Sequence, residues 1–166
     1  MGIKLIVIEI MKKYLDGLAV LLTTAWVGGM WATGYIAAPV LFQTLADKSM
    51  AGLLAGRLFS VMAYMGMICA IYLLIYDYIT YGAKVYSRAV FRIIIVMLLS
   101  TLLGQFGIQP ILAGLKTQAL PLYVMDSAYA GRFTFWHGTA SIIFLLQSLL
   151  GAVLLLKGDR GMLGKL

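Results

Sequence analysis

Arg132-Phe-Thr-Phe-Trp-His137-Gly-Thr-Ala-Ser141-Ile-Ile-Phe-Leu-Leu-Gln147-Ser148-Leu-Leu-Gly151-Ala-Val-Leu-Leu-Leu156 decides the fold of this chain. After Arg132 it carries no charged residue until Lys157, and it holds the only histidine. As a helix rising about 1.5 Å per residue, its apolar part over 136–156 is long enough for the hydrocarbon core of a bilayer, roughly 30 Å thick. An ionisable ring at the mouth of such a segment is costly in lipid and marks a candidate site. His137, Ser141, Ser148 and Gly151 fall on one face of that helix at helical spacing.

Outward from this stretch, the rest of the chain repeats the pattern. It has 166 residues, 63% of them hydrophobic and only 11% charged, where a soluble domain is about a quarter charged. A chain this short with so few charges cannot cover a globular surface with polar groups, so its solvent is largely lipid. Apolar runs over 17–42, 58–81 and 90–113 join 136–156 as four spans. The expected fold is all-α, one integral membrane four-helix bundle forming a single transmembrane domain over 1–166. Residues 1–16, apolar but interrupted by Lys4, Lys12 and Lys13, read as an interfacial lead-in. The apolar run that follows exceeds a signal core and no small-residue cleavage site ends it, so the first helix reads as uncleaved. Residues 43–57 read as the first connection, with Asp47 or Ser49 as N-cap, and 114–135 as a connection lying on the membrane surface.

The net charge of +7 sits at the ends of the apolar runs, which points to topology and lipid headgroups rather than nucleic acid. Lys4, Lys12, Lys13, Lys84, Arg88, Arg92, Lys157, Arg160 and Lys165 fall on one side; Lys48, Arg57, Lys116 and Arg132 fall on the other. Nine against four places both termini in the cytoplasm, N-in/C-in. Cys69, the single cysteine, can form no intrachain disulfide and leaves the redox compartment unread.

Small residues mark the expected helix packing. Gly29, Thr33 and Ala37 recur at intervals of four beside Gly34 and Ala38, and such rows let membrane helices approach closely. They predict that the first helix packs on the last helix or the third. Pro39 and Pro110 each remove a backbone donor and are expected to bend or end their helices. Thr101, Gln105 and Gln109 lie four apart and predict one polar row facing the bundle interior. Asp77 is expected at headgroup level within reach of Lys84 or Arg88.

No catalytic constellation is present: one histidine supplies at most one haem ligand, no Cys/His set has zinc spacing, and no carboxylate falls mid-span. The ten methionines are scattered among core residues. No catalytic residue, metal site or cofactor is assigned. The candidate ligand-binding set is His137, Arg132, Ser141, Gln105, Gln109, Gln43 and Arg57, all placed toward the outer face by the topology. Donors and cations with few carboxylates nearby suit an anionic or polar headgroup, or a small oxyanion, better than a metal cation. The candidate packing set is Gly29, Thr33, Gly34, Ala37 and Pro39.

Four stretches resemble the DUF4149 family of small bacterial membrane proteins, related to eukaryotic TMEM205-like proteins: Trp26-Val-Gly-Gly-Met-Trp31, Ala38-Pro39-Val-Leu-Phe42, Gly107-Ile-Gln-Pro110-Ile and Arg132-Phe-x-x-x-His137-Gly-x-x-Ser141. The resemblance implies a four-helix protein of unestablished activity in a bacterial inner membrane; the eukaryotic relatives are associated with platinum-drug tolerance. A fainter likeness is to CopD-type copper-resistance membrane proteins, which carry more metal ligands than this chain. The family pattern often has an asparagine farther along the last helix, where Gln147 and Ser148 stand here. Three readings follow: a non-enzymatic binding protein, transport- or resistance-related, with a polar pocket at the outer face and membrane lipids as partners; a structural or accessory subunit docking a protein partner or a second copy; and a copper- or haem-linked membrane protein, as an enzyme a haem- or quinone-linked oxidoreductase.

Overall fold

A computed structural model describes the backbone of residues 2–162 and the side chains of residues 9–157. The side chains of Lys4, Arg160 and Lys165, three of the nine cations in the topology count, lie outside the described residues. The described residues form α1 (Gly2–Trp31), a wide π-helical turn (Ala32–Ala37), α2 (Ala38–Thr44), α3 (Lys48–Tyr81), a 3-10 segment (Gly82–Ser87), α4 (Ala89–Leu102), a second π-helical turn (Leu103–Ile108), α5 (Gln109–Ala119) and α6 (Ala130–Met162). Four rods are long and apolar enough to cross a membrane: Glu9–Thr44, Lys48–Ser87, Ala89–Ala119 and Ala130–Lys157. The chain is an all-α, multi-pass membrane protein built as a four-helix bundle.

The rods form a ring. α1 packs on α3 and α6, and α4 packs on the same two. Trp26, Met30, Cys69, Leu73, Met97 and Leu154 fill the centre. The outside is apolar: Ile68 is 68% exposed, Ile79 74% and Leu156 71%. Such a surface suits lipid and not water.

The interior holds polar groups in pairs. Gln147 Nε2 donates to Thr101 Oγ1 at 2.6 Å and to the Met97 carbonyl at 3.3 Å, tying α6 to α4. Tyr35 Oη donates to Ser148 Oγ at 3.0 Å. At the end carrying the termini, Tyr76 donates to Asp16 and Tyr72 to the Leu15 carbonyl, joining α3 to α1. Each bond removes a polar group that hydrocarbon would leave unsatisfied.

Several local expectations are corrected. Residues 2–16 are helical and continue into the first rod without a break. Residues 48–57 are helical rather than a connection, because Asp47 Oδ1 accepts from the Ser49 and Met50 amides at 2.8 and 3.2 Å and starts α3 there. The third rod runs to Ala119, and the loop before α6 is correspondingly short. Asp77 makes no salt bridge with Lys84 or Arg88 among the described residues. It is 3% exposed, its Oδ2 has no hydrogen-bond partner among the described residues, and Arg88 lies 3.3 Å over the Tyr81 ring instead of on the carboxylate. Asp47→Ala removes the cap and is expected to lower stability by about 1 kcal/mol. A thermal-unfolding midpoint equal to wild type would show that the cap contributes nothing.

Neither proline ends its rod. Pro39 and Pro110 both stand at the start of a fresh α-segment. Just before each, the ladder widens: the Ala38 amide donates to the Thr33 carbonyl and the Gln109 amide to the Gly104 carbonyl, five residues back. Widening displaces the carbonyl that a proline ring would strike in a regular helix. The extra residue also turns the helix face. Thr101, Gln105 and Gln109 therefore do not form one row: Thr101 meets α6, Gln105 is half-buried, and Gln109 meets α3.

Candidate functional site

The end away from the termini, here the far end, gathers the start of α3, the whole of α5 and the start of α6. Gly52 and Gly56 sit one turn apart on α3. With no side chains to shield them, their carbonyls can be reached from the antiparallel α5. Gln109 Nε2 donates to the Gly56 carbonyl at 3.3 Å, and Lys116 Nζ to the Gly52 carbonyl at 3.1 Å. A Cβ on Gly52 would stand 3.6 Å from Lys116 Nζ and 3.7 Å from the tip of Phe42; one on Gly56 would stand 3.7 Å from Gln109 Nε2. The two side chains thus lie directly on the glycine positions.

Lys116 is half-buried and makes this one hydrogen bond to protein, with no carboxylate paired to it among the described residues. An ammonium carries three donors, so two remain. The same Nζ lies 5.7 Å from the centroid of the Phe133 ring, within the range of a cation–π contact. His137 stacks on that ring from one turn further along α6, with centroids 5.6 Å apart and planes 7° from parallel. Phe133 is therefore where the half-buried cation and the only histidine meet.

The expected site residues are distributed as follows. His137 is exposed, and no hydrogen bond reaches its ring among the described residues. Ser141 donates to the His137 carbonyl at 2.9 Å, a bond within its own helix, not to the imidazole. Arg132 is exposed and lines a groove with Pro110, Ile111, Gly114, Leu115 and Gln118, on the flank of α5 away from Lys116. Gln43 and Arg57 are exposed, and Gln105 is half-buried. The structure brings Gln109 to the same glycine pair as Lys116; it does not gather Arg132, Gln43 and Arg57 around His137. The face shared by His137, Ser141, Ser148 and Gly151 is exposed at its far-end half and buried deeper, where Ser148 bonds Tyr35 and Gly151 meets Val27.

Lys116 is the residue that sequence reasoning missed, having entered only as a charge in the topology count. A signal was available: Gln109 and Lys116 are seven residues apart, on one helical face, and Gly52 and Gly56 are four apart.

The small-residue rows point to two partners. Gly34 lies against the Phe144 ring of α6, whereas a Cβ on Gly29 would meet Met62 Sδ at 2.9 Å, on α3 rather than on the third or last helix. Thr33 is buried, Ala37 half-buried and Pro39 exposed. Among the described residues there is no group of three or more His, Cys, Asp or Glu placed to hold a metal.

No curated protein and no solved structure matches the chain. One family does, described as "Domain of unknown function (DUF4149)", over residues 21–121, more than half of the chain. That stretch includes both wide turns, Pro39, Pro110, Gly52, Gly56, Gln109 and Lys116, and the chain belongs to the DUF4149 family.

Proposed function

We propose that this protein binds an anionic ligand, a lipid headgroup or a small oxyanion, at its far end, with Lys116 as the charge anchor and His137 beside it. The observation that carries the reading is Lys116 itself: a half-buried ammonium with one carbonyl partner and no counter-ion among the described residues. Removing a cation from water is expensive unless an anion or several acceptors replace the water. An anionic oxygen would take the two remaining ammonium donors, and the imidazole could donate a further bond. The far end faces outward from a bacterial inner membrane in this reading, with both termini in the cytoplasm. The protein acts without catalysis, in transport or in resistance, a role in keeping with the resemblance to TMEM205-like and CopD-type proteins.

A second reading, an accessory subunit whose polar groups only join helices, is favoured by the Gln147–Thr101 and Tyr35–Ser148 bonds, which are complete within the chain. The two readings part at Lys116. Native mass spectrometry from mixed phosphatidylglycerol and phosphatidylcholine is expected to show phosphatidylglycerol retained selectively on the wild type. Lys116→Gln should lose that selectivity and His137→Gln weaken it, while Arg57→Gln, an exposed cation at the same end, keeps it. Equal retention of both lipids by wild type and Lys116→Gln, together with no retained phosphate or sulfate, would leave the accessory reading standing.

A further inference from the structure

The first and third rods repeat one another at a fixed interval of 71 residues. Ala32–Ala37 and Leu103–Ile108 are both six-residue wide turns, and each is followed by an α-segment with proline second, Pro39 and Pro110. The wide-turn bonds, Ala38 to Thr33 and Gln109 to Gly104, are displaced by the same interval. So are Tyr35 and Phe106, and these two make reciprocal contacts. Tyr35 packs edge-on against Phe144 of the last rod with centroids 5.5 Å apart; Phe106 packs edge-on against Tyr64 of the second rod at 6.4 Å. The ring of rods has the matching symmetry, since the first and third each pack on the second and fourth. One shared proline would be a coincidence. Turns, prolines, bonds and the Tyr35 and Phe106 positions at a single offset describe one rod pattern used twice, while their ring partners, Tyr64 and Phe144, do not share that offset.

The symmetry fails where the ligand reading places the anion. The positions of α2 and its cap that correspond to Gln109 and Lys116 are Ala38 and Leu45, which carry no side-chain donor. Among the described residues α5 reaches across to the other hairpin through two side-chain bonds to glycine carbonyls and α2 through none; the cross-bond of the first hairpin, Tyr35 to Ser148, lies in its wide turn. α5 otherwise packs on α6, in its own hairpin. It is thus a short segment joined through a wide turn to α4 and fastened to the other hairpin by Lys116 and Gln109.

We infer that the wide turn Leu103–Ile108 is a hinge and α5 a gate, held closed by the clasp of Lys116 and Gln109 on Gly52 and Gly56. The inference rests on the anion-binding reading for what opens the gate: an anion that takes the Lys116 ammonium competes with the Gly52 carbonyl and frees α5 to swing away from α3. A ligand shifts such an equilibrium only by binding one state better than the other, and here the open state alone has all three ammonium donors free for the anion. Deeper in the bundle Gly66 lies against Trp26 and Gly151 against Val27, so the motion is confined to the far end. The wide turn of the first rod is not such a hinge: Tyr35 within it is held to Ser148 of the fourth rod, and its outer segment is seated on α3 of its own hairpin.

Spin–spin distances test the gate. Met50→Cys and Gln118→Cys, both at exposed positions, report the far-end gap in a Cys69→Ala background. Ile71→Cys and Val96→Cys, also exposed, serve as the reference deeper in the bundle. In phosphatidylcholine nanodiscs a single closed distance is expected. In phosphatidylglycerol nanodiscs a second population should appear, longer by about 5 Å, the pitch of one helical turn. Lys116→Gln should show the longer distance in both lipids, with the reference pair unmoved. The gate is overturned if Lys116→Gln keeps the closed distance, or if the reference pair lengthens as much as the far-end pair. Phosphatidylglycerol retained by mass with no change in distance overturns the gate and leaves the binding reading intact. A longer distance in Lys116→Gln with no anion ever retained keeps the hinge and removes the ligand.

Discussion

Gly66→Leu is expected to leave no folded four-helix bundle. Gly66 is buried on α3 with the Trp26 indole of α1 lying directly over it, so close that even one Cβ would overlap the ring. Relief would require Trp26 to move, and Trp26 is 2% exposed and packed within the central cluster. Overpacking a rigid site costs about 1–3 kcal/mol for a few added carbons, occasionally more. Four carbons wedged between two rods belong at or beyond the top of that range. Gly28→Leu is the matched control: it is also a membrane-helix glycine, but a Cβ there meets no atom within 4 Å. Gly28→Leu should elute and melt as wild type does, while Gly66→Leu should aggregate or fail to accumulate. Wild-type elution and melting of Gly66→Leu would show that the first two rods leave room for a side chain between Gly66 and Trp26.

Four rods and their order are legible in the residues, because long uncharged runs bounded by cations leave a chain of this length few alternatives. The ends of the rods are less legible, since a cap acts through one side chain. Asp47 and Ser49 both qualify by type, and only the aspartate accepts the first-turn amides. The prolines mislead for a physical reason. Judged alone, each predicts a break, but a ladder shifted by one residue absorbs it, and the sequence carries no separate mark for that shift. The same shift dissolves the expected Thr101–Gln105–Gln109 row. Gly29 and Gly34 are legible as packing residues; which rod each meets depends on tertiary geometry. At the site, His137 identifies the right end of the bundle, while its neighbours depend on how α5 is turned. That rotation sets Lys116 on the glycine pair and Arg132 on the opposite flank.

Deleting one residue from the second wide turn, Gly107, tests the link between that turn and the site. The shortened helix can close into regular α geometry, and because the residue removed is the extra one of the wide turn, the segment after it keeps its orientation. Lys116 and Gln109 then stay on Gly52 and Gly56, and the deletion should leave any selective retention of anionic lipid in place. It also strands Pro110 inside a regular helix, where the missing amide and the ring clash cost about 3 kcal/mol or more. Pro110→Ala separates the two effects. In the full-length chain it should be close to neutral, since the wide turn already accommodates the ring. In the deletion it should recover most of that stability, because the clash disappears, with the lipid selectivity unchanged throughout, because Lys116 stays on Gly52. Thermal unfolding and native mass spectrometry on the four proteins read the two outcomes independently. If Pro110→Ala destabilises the full-length chain as much as it stabilises the deletion, the proline has a role of its own in α5. If the deletion combined with Pro110→Ala is as stable as wild type yet loses its anionic lipid, the wide turn itself, and not the orientation of α5 alone, places the anchor.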